Sequence, residues 1–246
     1  LHLCDRRQRQ MCIRDRANII DMSWMKDPAV VPSLKAVVYI WQGGMEGGNG
    51  VADVLTGKIP VSGKLTDTIA YELADYPSTA NFGDDNSNTH VEDIYVGYRY
   101  FETFAPERVM YPFGFGLTYT TFTIETEKAE STADAINFQV KVTNTGDYAG
   151  KEVVQIYLCA PQGKLGRPAR ELVAFAKTGL LQPGQMQKLE LSVPVSRLAA
   201  YDDGGVTGEK SCYVLEAGTY VFYVGNSVRD AREVSVDAKA GYEVAD

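Results

Sequence analysis

Apolar and polar residues trade places one by one through much of the second half of this chain. Ile136, Phe138, Val140 and Val142 are each separated by a polar residue, up to the turn Asn144-Thr145-Gly146-Asp147. A period of two puts all four apolar side chains on one face of a strand. Further short runs at 152–158, 171–176, 188–193 and 213–216 predict more strands. The segment 219–224 is expected to pair back on the last of these after Ala217-Gly218. Short strands punctuated by Gly, Pro and Asn turns predict an antiparallel β-sandwich over 122–246.

Upstream the pattern is different. Residues 36–41, Ala-Val-Val-Tyr-Ile-Trp, are apolar without alternation. That predicts a strand buried on both faces, as in a parallel sheet. The string Gly43-Gly44-Met45-Glu46-Gly47-Gly48-Asn49-Gly50 reads as a turn, and 51–55 as a short helix with Val51, Val54 and Leu55 on one side. Residues 24–34 read as helical or irregular around Pro28 and Pro32, and Gly57, Pro60 and Gly63 break the stretch after the helix into loops. Residues 78–92 form a polar, acidic surface loop, and 95–101 recover strand character ahead of a glycine–aromatic knot at 111–119. The fold class is therefore α/β plus all-β, with an α/β segment over 17–121 and a β-sandwich domain over 122–246.

Charge sets one segment apart. Residues 1–16 carry Arg6, Arg7, Arg9, Arg14 and Arg16 against Asp5 and Asp15, a net +3. The whole chain carries −8, so 17–246 carry −11. The segment has no apolar core and no small-residue cleavage site, so it is not a secretory signal, and its abrupt composition predicts a non-native leader. Location is otherwise open, with the cytoplasm favoured over secretion. The negative balance argues against a nucleic-acid partner, which needs a basic face. No apolar run approaches the roughly 20 residues of a membrane span. Cys4 and Cys12 lie in the leader, while Cys159 and Cys212 lack the spacing of a metal site and read as buried thiols.

Candidate chemistry is sparse. Glu46 sits in a glycine turn between a predicted strand and a predicted helix, at the end of a strand where α/β sheets bind ligands. Its carboxylate either caps that turn, favoured there by the helix dipole and free N–H groups, or lines a cleft together with Trp41. The turn lacks a P-loop Lys-Ser/Thr and a Gly-x-Gly-x-x-Gly spacing, and Glu46 stands where a phosphate would go. The neighbouring carboxylates Asp84/Asp85 and Glu92/Asp93 read as parts of a solvated loop. Tyr95, Tyr98, Tyr100, Phe113 and Phe115 either stack on a sugar or pack at the domain junction, where Gly114 and Gly116 leave room for close backbone approach. His90 is the one histidine outside the leader, so no Ser/His/Asp triad can be built.

Three segments carry a resemblance. Trp41-Gln42-Gly43-Gly44-Met45-Glu46-Gly47-Gly48-Asn49-Gly50-Val51-Ala52-Asp53-Val54-Leu55-Thr56-Gly57-Lys58, closed by Ser62-Gly63-Lys64-Leu65, resembles a stretch of the α/β-sandwich domain of glycoside hydrolase family 3, with Gly50 where Ala is commoner. Tyr95-Val96-Gly97-Tyr98-Arg99-Tyr100-Phe101 and Tyr111-Pro112-Phe113-Gly114-Phe115-Gly116-Leu117-Thr118-Tyr119 are similar to the end of that domain. Gly150-Lys151-Glu152-Val153-Val154-Gln155-Ile156-Tyr157-Leu158, Gly166-Arg167-Pro168 and Leu181-Gln182-Pro183-Gly184 resemble its fibronectin III-like companion.

The resemblance implies an incomplete α/β sandwich followed by a fibronectin III/immunoglobulin-like sandwich. It further implies a fragment of a retaining β-glucosidase that releases terminal β-linked glucosyl residues without metal or cofactor. The family's nucleophile is an Asp on a (β/α)8 barrel, and its acid/base is a Glu ahead of the Trp41 motif. Neither matches a position here, so no catalytic residue is assigned, and Trp41 and Glu46 are the substrate-cleft candidates. The partners implied are a β-glucoside or oligosaccharide and the barrel domain, which precedes or follows this segment. The rival reading, a non-catalytic carbohydrate-binding or adhesion module, has no use for the α/β segment. Sugar, linkage, aglycone and oligomeric state stay open.

Overall fold

The computed structural model describes residues 19–238 apart from 30, 42, 82–86, 88 and 209. The leader and the Asp84/Asp85 pair lie outside the described residues. In chain order the first part holds α1 (Gly47–Leu55), β1 (Ile69–Ala70), α2 (Tyr98–Phe104) and β2 (Val109–Tyr111), with short 3-10 turns between them. The second part is all strand: β3 (Phe122–Ser131), β4 (Ala135–Asn144), β5 (Val153–Cys159), β6 (Glu171–Lys177) and β7 (Met186–Pro194), then β8 (Ala200–Asp202), β9 (Cys212–Val214), β10 (Val221–Gly225), β11 (Arg232–Val234) and β12 (Asp237–Ala238).

Two four-stranded sheets, ordered β12-β3-β4-β7 and β11-β10-β5-β6, make the sandwich. The alternation read from the sequence is the reason: Ile136, Phe138, Val140 and Val142 all turn inward, while Asn137 faces solvent. Cross-strand register sets Val140 opposite Leu189, Phe138 opposite Leu191 and Ile136 opposite Val193 on β7. From the facing sheet Val154, Ile156, Leu158, Phe222 and Val224 close the core. The Phe138 and Phe222 rings meet at 5.4 Å. Burying each such side chain contributes about 1.5–3 kcal/mol.

β5 departs from alternation because both of its faces are covered. Val154, Ile156 and Leu158 enter the core, yet Gln155 and Tyr157 on the opposite face are buried as well. They lie under the α/β segment: Tyr98 stacks near Tyr157, with ring centroids 6.2 Å apart, and the Tyr157 hydroxyl donates to Gln155 Oε1. The Leu172 amide on β6 donates to the Tyr98 hydroxyl at 2.8 Å, and the Ala169 amide to Thr103 Oγ1 at 2.9 Å. Arg229, just past β10, reaches Glu102 on α2 at 3.0 Å. The sandwich and the α/β segment are thus bolted together along one sheet face.

Three predicted elements are corrected. The segment 36–41 is extended but pairs with no strand among the described residues, and Val38 is 49% exposed. A parallel strand needs neighbours on its edges and cover on both faces, and the described residues supply neither. Of residues 95–101, Tyr98 onward forms a helix rather than a strand. Gly97, at φ +60°, stands just ahead of it, and Phe101, with Ala105 just past the helix end, enters a small core with Ala70 and Val109. The predicted hairpin of 213–216 with 219–224 does not form. β9 pairs with β8, Tyr201 opposite Tyr213, whereas β10 pairs with β5 and β11. Gly218, at φ +147° and tight against the Pro161 side chain, steers the chain across to the other sheet.

The β8–β9 loop hangs on one carboxylate. Buried Asp202 accepts the amides of Gly205 at 2.6 Å, Val206 at 3.1 Å and Thr207 at 2.8 Å, together with the Thr207 hydroxyl at 2.6 Å. These donors, the Thr207 hydroxyl foremost, hold its carboxyl down to about 2. A depressed carboxyl stabilises the fold fully above its unfolded value near 4 and loses that contribution as pH falls toward 2. Asp202→Asn should therefore lower the unfolding midpoint at pH 7, and the gap to the wild type should shrink between about pH 4 and pH 2. Thermal melts across that range measure it; a gap of constant size down to pH 2 contradicts the assignment.

Candidate functional site

The glycine turn is built by local bonds. Gly47 N donates to Gly44 O at 2.9 Å and Gly50 N to Glu46 O at 3.0 Å, which starts α1 directly after Glu46. Glu46 occupies the N-cap position, but its carboxylate caps no backbone N–H. Instead its Oε2 accepts from Asn49 Nδ2 at 2.5 Å, out in solvent. Trp41 takes a left-handed backbone at φ +51°, rare for a bulky side chain, and its ring stacks edge-on against Tyr39 at 4.6 Å. The two cleft candidates thus sit at either end of one turn, with separate partners.

The turn's composition exceeds what its own contacts require. A Cβ added at Gly44, Gly47, Gly48 or Gly50 would meet nothing within 4 Å, and none of the four takes a positive φ. Met45 is 103% exposed and Leu55 67%. Val37, Val38, Ile40 and Ile59 are exposed as well.

The other candidates separate. Glu92 and Asp93 lie in a turn closed by Tyr95 N donating to Glu92 O at 2.8 Å, and His90 is exposed. The aromatic set packs at the junction: Tyr98 on Phe113 at 4.6 Å, Tyr111 on Phe115 at 5.0 Å and Tyr95 on Phe104 at 4.8 Å. Sequence reading missed Asp67. Burial pushes its carboxyl up, partly offset by the Thr68 amide donating to Oδ1 at 2.9 Å. It missed Lys64 too, whose ammonium meets Glu152 at 3.0 Å inside the junction. Neither stands out in sequence, because each takes its character from neighbours brought in by the fold. Cys159 and Cys212 both remain thiols, but they are half-buried rather than buried. Among the described residues no group of three or more His, Cys, Asp or Glu is placed to hold a metal, and no helix is long and apolar enough to cross a membrane.

Comparison with known proteins finds two family domains in the chain. Residues 9–119 match the glycosyl hydrolase family 3 C-terminal domain, and residues 152–228 match the fibronectin type III-like domain. The chain belongs to glycoside hydrolase family 3. A β-glucosidase of Ruminococcus albus is 50% identical over 216 residues, 88% of this chain but 22% of that protein. The crystal structure of a β-glucosidase from Paenibacillus barengoltzii superposes with a TM-score of 0.87 at 57% identity, covering 93% of this chain and 25% of that one. β-Glucosidase 3B of Thermotoga neapolitana, solved in complex with α-D-glucose, gives 0.75 at 39% identity, over 87% and 29%. The chain therefore spans about a quarter of the length of these family 3 relatives. It corresponds to part of a longer family 3 protein, and the Trp41, Tyr95 and Tyr111 motifs all fall in the stretch matched by the family 3 C-terminal domain.

Proposed function

We propose that the enzyme to which this chain contributes hydrolyses terminal β-glucosides with retention, and that Trp41 and Glu46 lie along the wall of its substrate cleft. The observation that carries the reading is the 57% identity, at a TM-score of 0.87, to a β-glucosidase over nearly the whole chain. Retention needs two carboxylates about 5 Å apart. One attacks the anomeric carbon as the other protonates the departing oxygen, giving a covalent glycosyl-enzyme and a free alcohol. The second carboxylate, now a base, takes a proton from water, which displaces the enzyme from the sugar. Both carboxylates are assigned to the part of the enzyme beyond this chain. In support, Glu46 is exposed with Asn49 as its partner, and Asp53 is paired with Lys58 at 3.0 Å.

The test is to express the intact enzyme and follow hydrolysis of an aryl β-glucoside by proton NMR. β-Glucose should appear first, before mutarotation; α-glucose first, or no turnover of any β-glucoside, sinks the reading. A Trp41→Ala change in that enzyme should lower kcat/KM by roughly tenfold, a loss of about 1.4 kcal/mol of binding to the sugar. Unchanged kinetics would remove Trp41 from the cleft.

A further inference from the structure

The motif Ser62-Gly63-Lys64-Leu65 takes no part in the chemistry proposed for the enzyme, yet it is bonded both to the second glycine motif and to the sandwich. Leu65 N donates to Phe115 O at 2.7 Å, and Gly114 N returns a bond to Leu65 O at 2.8 Å. The two glycine motifs are thereby zipped together. Gly114, at φ +84°, presses on the sandwich so closely that a Cβ would stand 2.8 Å from Ser227 Cα and 2.9 Å from Gln155 Oε1. A Cβ on Gly116 would collide with the Gly63 carbonyl oxygen. Phe113 O accepts the Val228 amide at 3.1 Å, and Lys177 Nζ donates to Ser62 O at 2.8 Å.

At the centre is a buried charge pair. Lys64 Nζ lies 3.0 Å from Glu152 Oε1, with the two side chains only 11% and 5% exposed, and it donates to Gly116 O at 3.3 Å. Glu152 is satisfied on all sides: Oε1 also accepts Val153 N at 2.8 Å, and Oε2 accepts Asn226 Nδ2 at 3.2 Å. A desolvated ion pair is a poor source of stability, since an apolar pair of similar volume often serves as well. Its distinctive property is directional: it is satisfied in one geometry and strongly penalised in the others.

We infer that Lys64 and Glu152 form an orientation lock, through which the fibronectin-like sandwich fixes the attitude of the Ser62–Leu65 and Phe113–Gly116 motifs and of α1, which leads into them. Lys64 is a positioning residue. Its bond to Glu152 selects one docking of the α/β segment on the β5 face, and the sandwich serves as a brace rather than as a ligand-binding module. That this attitude matters for a substrate cleft rests on the proposed function; the lock itself does not.

The experiment compares amide hydrogen exchange, residue by residue by NMR, in the full chain and in Lys64→Met/Glu152→Leu. The double change keeps the junction apolar and filled, so the fold is retained. The amides of Leu65, Gly114 and Val228 should exchange at least tenfold faster, while those of Val140 and Val154 in the sandwich core keep their rates. Glu152→Gln, which keeps shape and strands the Lys64 charge, should give the same selective pattern if the double variant proves insoluble. Unchanged protection at Leu65 and Gly114, or equal acceleration at Val140, would overturn the lock.

Discussion

Purified by itself, this chain should leave a chromogenic β-glucoside untouched, at the level of a heat-inactivated control. The loss is expected to be complete rather than partial because two requirements fail together. Proton transfer by a positioned carboxyl typically contributes about 10²–10⁴-fold, and the covalent route disappears with the nucleophile. Glu46 does not replace either group. It is solvated and spends one oxygen on Asn49. The assay belongs in a host without its own β-glucosidase, with Glu46→Ala alongside. Turnover that vanishes in Glu46→Ala would place catalytic machinery in this chain; turnover indifferent to it identifies a contaminant.

Asn144→Ala should be among the most damaging single changes to the fold. Asn144 is fully buried at the end of β4 and ties three segments together. Its Nδ2 donates to Tyr148 O at 2.8 Å and Leu181 O at 2.9 Å, while Oδ1 accepts the Thr120 hydroxyl at 2.7 Å and the Gly146 amide at 3.1 Å. Alanine would break all four bonds: the buried Thr120 hydroxyl would be stranded, Leu181 O would keep only the Gly150 amide, and Tyr148 O and Gly146 N would turn to solvent. A stranded buried group costs about 1–3 kcal/mol and a lost hydrogen bond that water can partly replace about 1 kcal/mol, so a total of about 3–5 kcal/mol is expected. That corresponds to a fall in Tm of roughly 10 °C for a domain of this size. A drop of under 2 °C would mean that solvent satisfies the turn as well as the asparagine does.

Where a segment's surroundings lie within the chain and it has one buried face, its structure was legible. β4 is such a case, with every second residue apolar and every one of those residues inward. β5 was legible as a strand but not as the junction strand, because buried Gln155 and Tyr157 look like the outward residues of an ordinary sandwich strand. Tyr98 to Phe101 misled for a related reason. Aromatic residues favour strands when nothing else decides, and here packing of Phe101 against Ala70 and Val109 decided for a helix. Residues 36–41 have the composition of a buried strand, but none of the described residues pairs with them as one. At the candidate site, a helix after the glycines was readable from spacing but begins at Gly47, inside the run expected to be all turn, whereas the Lys64–Glu152 pair joins residues far apart in sequence and left no local trace.

The double covering of β5 has a practical consequence for protein engineering. A cut near Tyr119, where the change from α/β to all-β pattern invites one, would lift Tyr98 and Phe113 away and lay Gln155 and Tyr157 open to water. A graft made there would carry a sticky stripe down the middle of a sheet, and self-association of the transplanted sandwich should follow. The natural cassette for shuffling between enzymes of this kind instead begins upstream of Ser62 and keeps α2, the glycine–aromatic loop and the sandwich as one piece.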